Sequence, residues 1–128
     1  MSIPPPMERT SNPPVMQKTV EAYKLWHGAL NSFPRLSRYS LGIKIDVIFT
    51  ELIESILLAG YANHADKQTA IANASAKLDV LKFFLQVAWE MKCLDHKKYA
   101  ALSSPIHEIG RMIGGWQKAM QIKQSSLI

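Results

Sequence analysis

The sequence is poor in the residues that build disulfide-bonded or zinc-bound small proteins. Its 128 residues contain one cysteine, Cys93, so neither an internal disulfide nor a cysteine-based zinc site can form within one chain. Free cysteine usually packs as a small apolar side chain, and we expect Cys93 to lie in the core. This cysteine usage is typical of a reducing compartment.

Long apolar runs are also missing. The run ILLAGYA at residues 56–62 is far shorter than the roughly 20 residues that a membrane-spanning helix needs. The N-terminal MSIPPPMERT has no apolar segment of the kind found in signal peptides. We therefore expect a cytoplasmic protein with no membrane partner.

Motifs for catalysis and cofactor binding are absent as well. The chain has no GxxxxGK[ST] loop, no GxGxxG and no nucleophile elbow, and no acidic residue precedes a histidine by three positions, as in di-metal bundles. Glu51 and Glu54 lie one turn apart without a nucleophile or base, which is typical of an exposed polar edge. The sequence predicts a protein that is not an enzyme and that binds no metal or cofactor. Its four histidines, none at a zinc-ligand spacing, are His27, His64, His96 and His107.

Glycine is scarce and proline is concentrated at one end. Only 6 residues are glycine, hydrophobic residues make up 48%, and no strand-like alternation is sustained, which favours an all-α domain. Five of the 7 prolines fall in residues 1–14, which predicts a flexible proline-rich N-terminal tail. We divide the chain into this tail, a helical domain at residues 15–122 and a C-terminal tail at residues 123–128.

Apolar periodicity places the first two helices. The first runs from Val15 to about Leu30 and ends before Pro34. The second begins between Pro34 and Ser40 and ends near Ala62. Its wide apolar face indicates burial against more than one neighbour.

The third helix has the clearest pattern. It follows a turn at residues 63–68, where Asp66 is a plausible N-cap. Two apolar seams run along it, one suited to the bundle core and the other left for a neighbouring helix or subunit. The first seam consists of Ile71, Ala74, Leu78, Leu81, Leu85 and Ala88, and the second of Val80, Phe84, Val87, Met91 and Leu94.

The fourth helix follows Asp95, its predicted cap, and runs from His96 to about Gln121. Pro105 either kinks it or begins a fresh helix with Ser104 as the cap. Four helices joined by short turns predict an antiparallel up-down-up-down four-helix bundle. The core stripe of the fourth helix is Ile106, Ile109, Ile113, Trp116 and Met120.

Three glycines lie beside this core stripe in the fourth helix. Gly110 and Gly114 share one helical face, and Gly115 thins the face that carries Arg111 and Lys118. Interior glycines weaken a helix, and three cost roughly 2 to 3 kcal/mol relative to alanine. Either close packing of another helix offsets this cost, or the bare backbone contacts a partner.

Positive charge gathers in two segments. The formal net charge is +5, and residues 22–45 carry four cations without an acid, while residues 96–128 carry five cations against one acid. Such segments suit an acidic polymer as partner, although a solvated face is the alternative interpretation. Two basic pairs share a helical face or turn, namely Arg35 with Arg38 and Arg111 with Lys118.

Aromatic residues follow the helical spacing of the core rather than that of a base-stacking surface. We therefore expect most of them to be buried, and we expect Tyr39, which lies between Arg38 and Ser40, to be the exception. The aromatic residues concerned are Tyr23, Trp26, Phe33, Tyr39 and Trp116.

Two stretches resemble a known family. The run EIGRMIGGWQKAM and the upstream FPRLSRYSLGIKI are similar to the four-helix-bundle family that includes Avd, the accessory variability determinant of diversity-generating retroelements. More distant members are the proteins encoded by bacterial 23S rRNA intervening sequences. The likeness covers about residues 22–119, and its specific motif is Glu-Ile-Gly-Arg-x-x-Gly-Gly-Trp.

This resemblance implies a non-enzymatic accessory protein that binds a retroelement reverse transcriptase and its template RNA and supports mutagenic cDNA synthesis and retrohoming. It also implies a homo-oligomer, a pentameric ring with a positively charged surface. The alternative is an oligomeric helical interaction module of the intervening-sequence type without a reverse-transcriptase partner. Carried onto this chain, the contacts to nucleic acid or reverse transcriptase fall on Arg35, Arg38, Arg111 and Lys118, with Lys77 and Lys82 in addition.

Overall fold

A computed structural model describes residues 13–126 of the chain. Its elements are α1 (Pro14–Leu30), α2 (Arg35–Ser37), a π-helical turn (Arg38–Gly42), α3 (Ile43–Tyr61), α4 (His64–Glu90) and α5 (His96–Ser126). The four long helices are α1, α3, α4 and α5, and no β-strand occurs within residues 13–126. The prediction of an all-α protein is confirmed.

Each long helix packs against two others. The packed pairs are α1 with α3, α3 with α4, α4 with α5, and α5 with α1. Gly60 near the end of α3 faces Pro13 at the start of α1, and the Pro13 Cδ lies 3.2 Å from the position of a Cβ at Gly60. At the other end of this pair, Gly42 faces Leu30. Four helices thus share one core.

The core contains the apolar stripes that the periodicity predicts. All six residues of the first seam of α4 are buried, as are Ile106, Ile109, Ile113 and Met120 of α5. Trp26 of α1 is fully buried between Phe33 and Phe49, in contact with both rings. Cys93 is buried at 3% exposure, as expected.

Helix bounds differ from the predicted ones where local geometry is unusual. Pro105 lies inside an uninterrupted α5, so the alternative of a fresh helix capped by Ser104 is wrong. The helix tolerates this proline, although its ring nitrogen can donate no hydrogen bond. The helix also continues beyond the predicted Gln121 to Ser126. The predicted N-terminal tail falls outside the described residues, apart from Pro13 and Pro14.

One predicted cap is correct and another is wrong. The Asp95 side chain accepts a hydrogen bond of 2.7 Å from the Lys98 backbone N–H and caps α5. For α4 the cap is Asn63 rather than Asp66, because the Asn63 Oδ1 accepts a hydrogen bond of 3.0 Å from the Asp66 N–H. Asp66 lies in the first turn instead, where its negative charge suits the helix dipole.

The end of α4 is closed by a Schellman motif built on a lysine. Lys92 has φ of 63°, in the left-handed region that glycine usually occupies. Its N–H donates to the Trp89 carbonyl at 3.0 Å, and the Cys93 N–H donates to the Ala88 carbonyl at 2.8 Å. These bonds reverse the chain and bring the start of α5 against the end of α4.

Candidate nucleic-acid and partner interface

The outer side of α5 presents a basic stripe to solvent. His107, Arg111, Gly114 and Lys118 occur at steps of four, three and four, and all four residues are exposed. We call these four residues the α5 basic face. Glu108 is the acidic residue of this part of the helix, and it points towards α1, where its Oε2 lies 3.3 Å from the Lys18 Nζ. The cations of the basic face therefore have no acidic neighbour on their own stripe.

The three glycines of α5 do not share one environment. A Cβ at Gly110 would lie 3.2 Å from the Lys82 Nζ and 3.3 Å from the Leu78 Cδ2, so α4 approaches α5 closely there. At Gly114 and Gly115 no described atom would come within 4 Å of a Cβ. Close packing within the chain therefore occurs at Gly110, and Gly114 and Gly115 leave exposed backbone between Arg111 and Lys118. Trp116 is half-buried and packs against the core.

Lys82 joins the basic residues of α5 across a groove between α4 and α5. A cavity of about 200 Å³ is lined by Lys82 of α4 and by His107, Gly110 and Arg111 of α5. Asp79 lines the same cavity and partly offsets its positive charge. The fold thus brings together two cations that are 29 positions apart in sequence.

Lys77 is engaged in a different contact. Its ammonium forms a salt bridge with the Glu51 carboxylate and links α4 to α3. This hydrogen bond, reinforced by charge attraction, holds the pKa of Glu51 below its ordinary value of 4.5. Lys77 therefore lies on the α3 side of α4, apart from Lys82.

Arg35 and Arg38 lie at the turn between α1 and α3, where Arg35 is exposed and Arg38 is half-buried. The Arg38 Nη2 donates hydrogen bonds to the carbonyls of Asn31 and Phe33, at 3.1 and 3.2 Å. Its guanidinium thereby holds the end of α1 and the following turn, which a lysine could do less well because it lacks the planar fork. Arg38 has a structural role in addition to any contact with a partner.

The six predicted basic residues therefore do not form one surface. Arg111 and Lys82 line the α4–α5 groove, and Lys118 is exposed two turns along α5 from Arg111. Lys77 faces α3, and Arg35 and Arg38 lie at the α1–α3 turn. Sequence spacing alone finds residues on one helical face, and it cannot show which faces of two helices meet. Which of these side chains bind a partner stays a prediction.

The aromatic expectation is largely met. Trp26 and Phe33 are buried, Tyr23 and Trp116 are half-buried, and Tyr39 is 65% exposed. A pair that the sequence reasoning missed lies at the α4–α5 turn, where the rings of Trp89 and Tyr99 stack with centroids 5.0 Å apart. Residue spacing along the sequence does not indicate this pair, because Trp89 and Tyr99 belong to different helices.

A second exposed surface is apolar. We call it the α3–α4 apolar face, and Phe83 belongs to it with 62% of its surface exposed. The Phe83 ring contacts Phe84, and Phe84 lies under the Lys44 ammonium of α3, so the surface spans both helices. Exposed apolar side chains grouped in this way typically mark an interaction site. The members of this face are Ile43, Val47, Leu58 and Tyr61 of α3, Val80 and Phe83 of α4, and Met91 directly after α4.

Within residues 13–123 no group of three or more His, Cys, Asp or Glu side chains is arranged to hold a metal ion. No helix in the described part of the chain is long and apolar enough to cross a membrane.

These features define a class of protein, namely small basic helical proteins with one apolar and one positively charged surface. Comparison with protein families matches residues 15–120 to the bAvd-like family, and the chain belongs to this family. Avd-type proteins are accessory, non-catalytic proteins of diversity-generating retroelements. Comparisons with curated proteins and with solved structures found no significant match.

Proposed function

We propose that this protein is the accessory subunit of a diversity-generating retroelement that binds the reverse transcriptase and its template RNA and supports mutagenic cDNA synthesis and retrohoming. Family membership over residues 15–120 supports this proposal. The structural observation that carries it is the α5 basic face, where Arg111 and Lys118 flank exposed glycine backbone. The protein acts in the cytoplasm, in keeping with its single, buried, unpaired cysteine.

The geometry of the α5 basic face suits a phosphodiester backbone. Arg111 and Lys118 lie two helical turns apart, about 10 Å along the axis. Between them, Gly114 and Gly115 carry no side chain that would hold a strand away from the helix. Cations that bind phosphates release counterions, so binding of this kind weakens steeply as the salt concentration rises.

The proposal includes a homo-oligomer, a pentamer, whose subunits meet through the α3–α4 apolar face. This face borders α3, because the Phe83 ring contacts Phe84 and Phe84 lies under Lys44 of α3, and none of its members lines the cavities of the groove with α5. Assembly through it would therefore leave the basic groove open. Each subunit is taken as an up-down-up-down bundle, which the contacts of Gly60 with Pro13 and of Gly42 with Leu30 support.

Charge reversal on α5 tests the proposed function. The double variant Arg111→Glu with Lys118→Glu should abolish co-purification of the reverse transcriptase and template RNA and leave helicity and oligomer mass unchanged. Lys24→Glu with Lys67→Glu is the matched control, because it also replaces two cations by two acids and lowers the net charge from +5 by the same amount. Unchanged binding by the α5 variant would contradict the site assignment.

Salt dependence tests the nature of the contact in the unmodified protein. The logarithm of the RNA affinity should fall linearly with the logarithm of the salt concentration, with a slope of about −0.7 for each phosphate contacted on a single strand. An affinity that stayed flat between low and physiological salt would rule out phosphate contacts as its source.

The exposed α3–α4 apolar face also favours a second candidate, an oligomeric helical interaction module of the rRNA intervening-sequence type. In that case the charges keep the protein in solution and its contacts are with protein alone. Phe83→Glu should then reduce the oligomer mass in solution, as it should for the first candidate. RNA binding separates the two, because the second candidate binds no template RNA even at low salt.

A further inference from the structure

We propose that the groove between α4 and α5 binds an unpaired stretch of nucleic acid, with a base stacked on Trp89 and the strand following Lys82, His107 and Arg111. This inference rests on the proposed function and adds to it a path and a ligand class, namely single-stranded RNA or DNA. Neither Trp89 nor His107 is among the basic residues that the family resemblance indicates.

The aromatic end of the groove is already arranged for stacking. The rings of Trp89 and Tyr99 are nearly parallel, at 12°, with centroids 5.0 Å apart, and the His96 ring lies 6.3 Å from Trp89. Trp89 keeps 37% of its surface exposed although Tyr99 covers part of it. Exposed aromatic rings held in a fixed orientation are the surfaces on which proteins stack unpaired bases.

The groove brings Tyr99 of this aromatic pair close to the cations. A cavity of about 260 Å³ is lined by Tyr99, Lys82 and His107, and the neighbouring cavity of about 200 Å³ adds Arg111. The two cavities share Lys82 and His107, so they are neighbours along the contact between α4 and α5. Lys82 and Trp89 are seven positions apart on α4 and therefore lie on the same face, about 10 Å from each other along the axis.

Charge along the groove favours a polyanion. Besides Lys82 and Arg111, three exposed or half-buried lysines surround the α4–α5 turn, and the acids nearby are Asp79, Glu90 and Asp95. Glu90 accepts a hydrogen bond from Gln86, and Asp95 caps α5 while contacting the Lys98 ammonium at 3.8 Å. Asp79 is the acid that lines the groove itself. The three lysines at the turn are Lys92, Lys97 and Lys98.

The combination of rings and cations selects an unpaired strand over a duplex. In a duplex the base faces are covered by their neighbours, so an aromatic ring on the protein surface gains nothing from them, whereas an unpaired base can stack on the ring. A duplex would contact the cations alone. Binding that depends on Trp89 is therefore the signature of a single strand.

The test measures binding of labelled oligonucleotides to the full chain by fluorescence anisotropy at low salt. Three probes of one mixed sequence are compared, namely a 12-nucleotide RNA, the equivalent DNA strand and the RNA duplex. Trp89→Leu should weaken binding of the single strands about ten-fold, the scale of one lost stacking contact, and should leave the duplex affinity unchanged. The control is Leu25→Ala, which truncates an exposed apolar side chain on α1, 50% exposed and outside both proposed surfaces, and should change no affinity.

A second measurement does not depend on the folding of a Trp89 variant. Trp26 is fully buried, so in a Trp116→Phe protein Trp89 is the tryptophan that a ligand can reach. Saturation with the single strands should quench its fluorescence, while the duplex should not. If single strands bind without quenching, or if Trp89→Leu keeps full affinity for them, the stacking inference is wrong.

These results separate the inference from the proposed function. If the Arg111→Glu and Lys118→Glu protein loses template RNA and reverse transcriptase while Trp89→Leu binds normally, the function stands and the groove assignment fails. If the unmodified protein binds neither template RNA nor reverse transcriptase, the function itself fails. If a polyglutamate peptide displaced the labelled single strands as well as an unlabelled strand does, the groove would recognise negative charge alone and the inference would be wrong.

Discussion

The indole nitrogen of Trp26 donates a hydrogen bond of 3.1 Å to the Asp46 Oδ1, and this bond joins the core of α1 to the first turn of α3. The Tyr23 hydroxyl donates to the same oxygen at 2.9 Å. Because the Trp26 side chain is fully buried, its N–H has no access to water and depends on this carboxylate. Asp46 is thus the polar partner that allows two aromatic residues to pack between α1 and α3.

Removing this carboxylate should destabilise the fold. Asp46→Ala leaves the Trp26 N–H buried without an acceptor, and we expect the free energy of unfolding to fall by about 2 kcal/mol. Asp46→Asn keeps an acceptor oxygen and should cost less. Urea unfolding followed by circular dichroism measures both variants, and an Asp46→Ala protein as stable as the unmodified one would show that the bond contributes nothing.

Tyr23 should make the stability pH-dependent in alkaline solution. Burial raises the pKa of Tyr23 above its ordinary value of 10.0, and the hydrogen bond to Asp46 and the negative charge of Asp46 raise it further. At a pH between the pKa of Tyr23 in the unfolded chain and its higher pKa in the folded chain, the unfolded chain has lost the hydroxyl proton that the folded chain keeps. The folded state therefore binds more protons in this range. The free energy of unfolding therefore falls as the pH rises from the unfolded pKa through the folded one, while below the unfolded pKa the contribution is fully present.

Tyr23→Phe should make this alkaline decline shallower, as measured by urea unfolding at several values from about pH 9 to about pH 11. Tyr61→Phe is the control, because Tyr61 is 61% exposed on α3 and its replacement should leave the decline as it is. A decline of the same steepness in the Tyr23→Phe protein would assign it to other groups.

Helical periodicity was enough to predict the elements and most of the core. The first seam of α4 is buried at every position because steps of three and four residues place side chains on one face whatever the neighbouring helix is. The same logic places Arg111 and Lys118 together on α5. Those predictions need only the geometry of a single helix.

Contacts between helices could not be predicted in this way. The bonds from Trp26 and Tyr23 to Asp46, the pairing of Lys77 with Glu51 and the meeting of Lys82 with Arg111 depend on which helix faces meet. The sequence also predicts the wrong N-cap for α4, because Asn63 and Asp66 are both suitable capping residues and Asn63 is the one that caps the helix. The π-helical turn at Arg38–Gly42 likewise has no periodic signature in this sequence.

Replacing Lys92 should stabilise the protein. Its left-handed φ of 63° costs an L-residue about 1 kcal/mol that glycine avoids, so Lys92→Gly should raise the free energy of unfolding by about that amount. Lys92→Ala removes the charge and keeps the backbone conformation, so it should give no comparable gain. Thermal and urea unfolding of both variants measure the difference, and equal gains would point to charge rather than backbone conformation.

Lys77 and Arg111 should behave differently when neutralised. Lys77→Met removes the hydrogen bond and the positive charge that lower the pKa of Glu51, so that pKa should return towards 4.5 in an NMR titration. The ionised Glu51 carboxylate stabilises the folded state at a pH above its unfolded pKa, and this stabilisation is lost as the pH falls through the lowered folded pKa. Lys77→Met should therefore remove this acid dependence of the stability.

RNA affinity should fall more for Arg111→Met than for Lys77→Met, and the reverse order would place the nucleic acid on the α3 side of α4.

The glycines of α5 offer the sharpest test of which helix face is free. Gly114→Ala and Gly115→Ala meet no described atom within 4 Å, so in a monomer each should gain helix propensity worth up to about 1 kcal/mol. Gly110→Ala should gain less, because its Cβ would press on Leu78 at 3.3 Å and on the Lys82 ammonium at 3.2 Å. Urea unfolding and oligomer mass should be measured together. If Gly114→Ala lowers both the stability and the mass, a second subunit covers this face of α5 in place of a nucleic acid, and the α3–α4 apolar face is then not the sole contact between subunits.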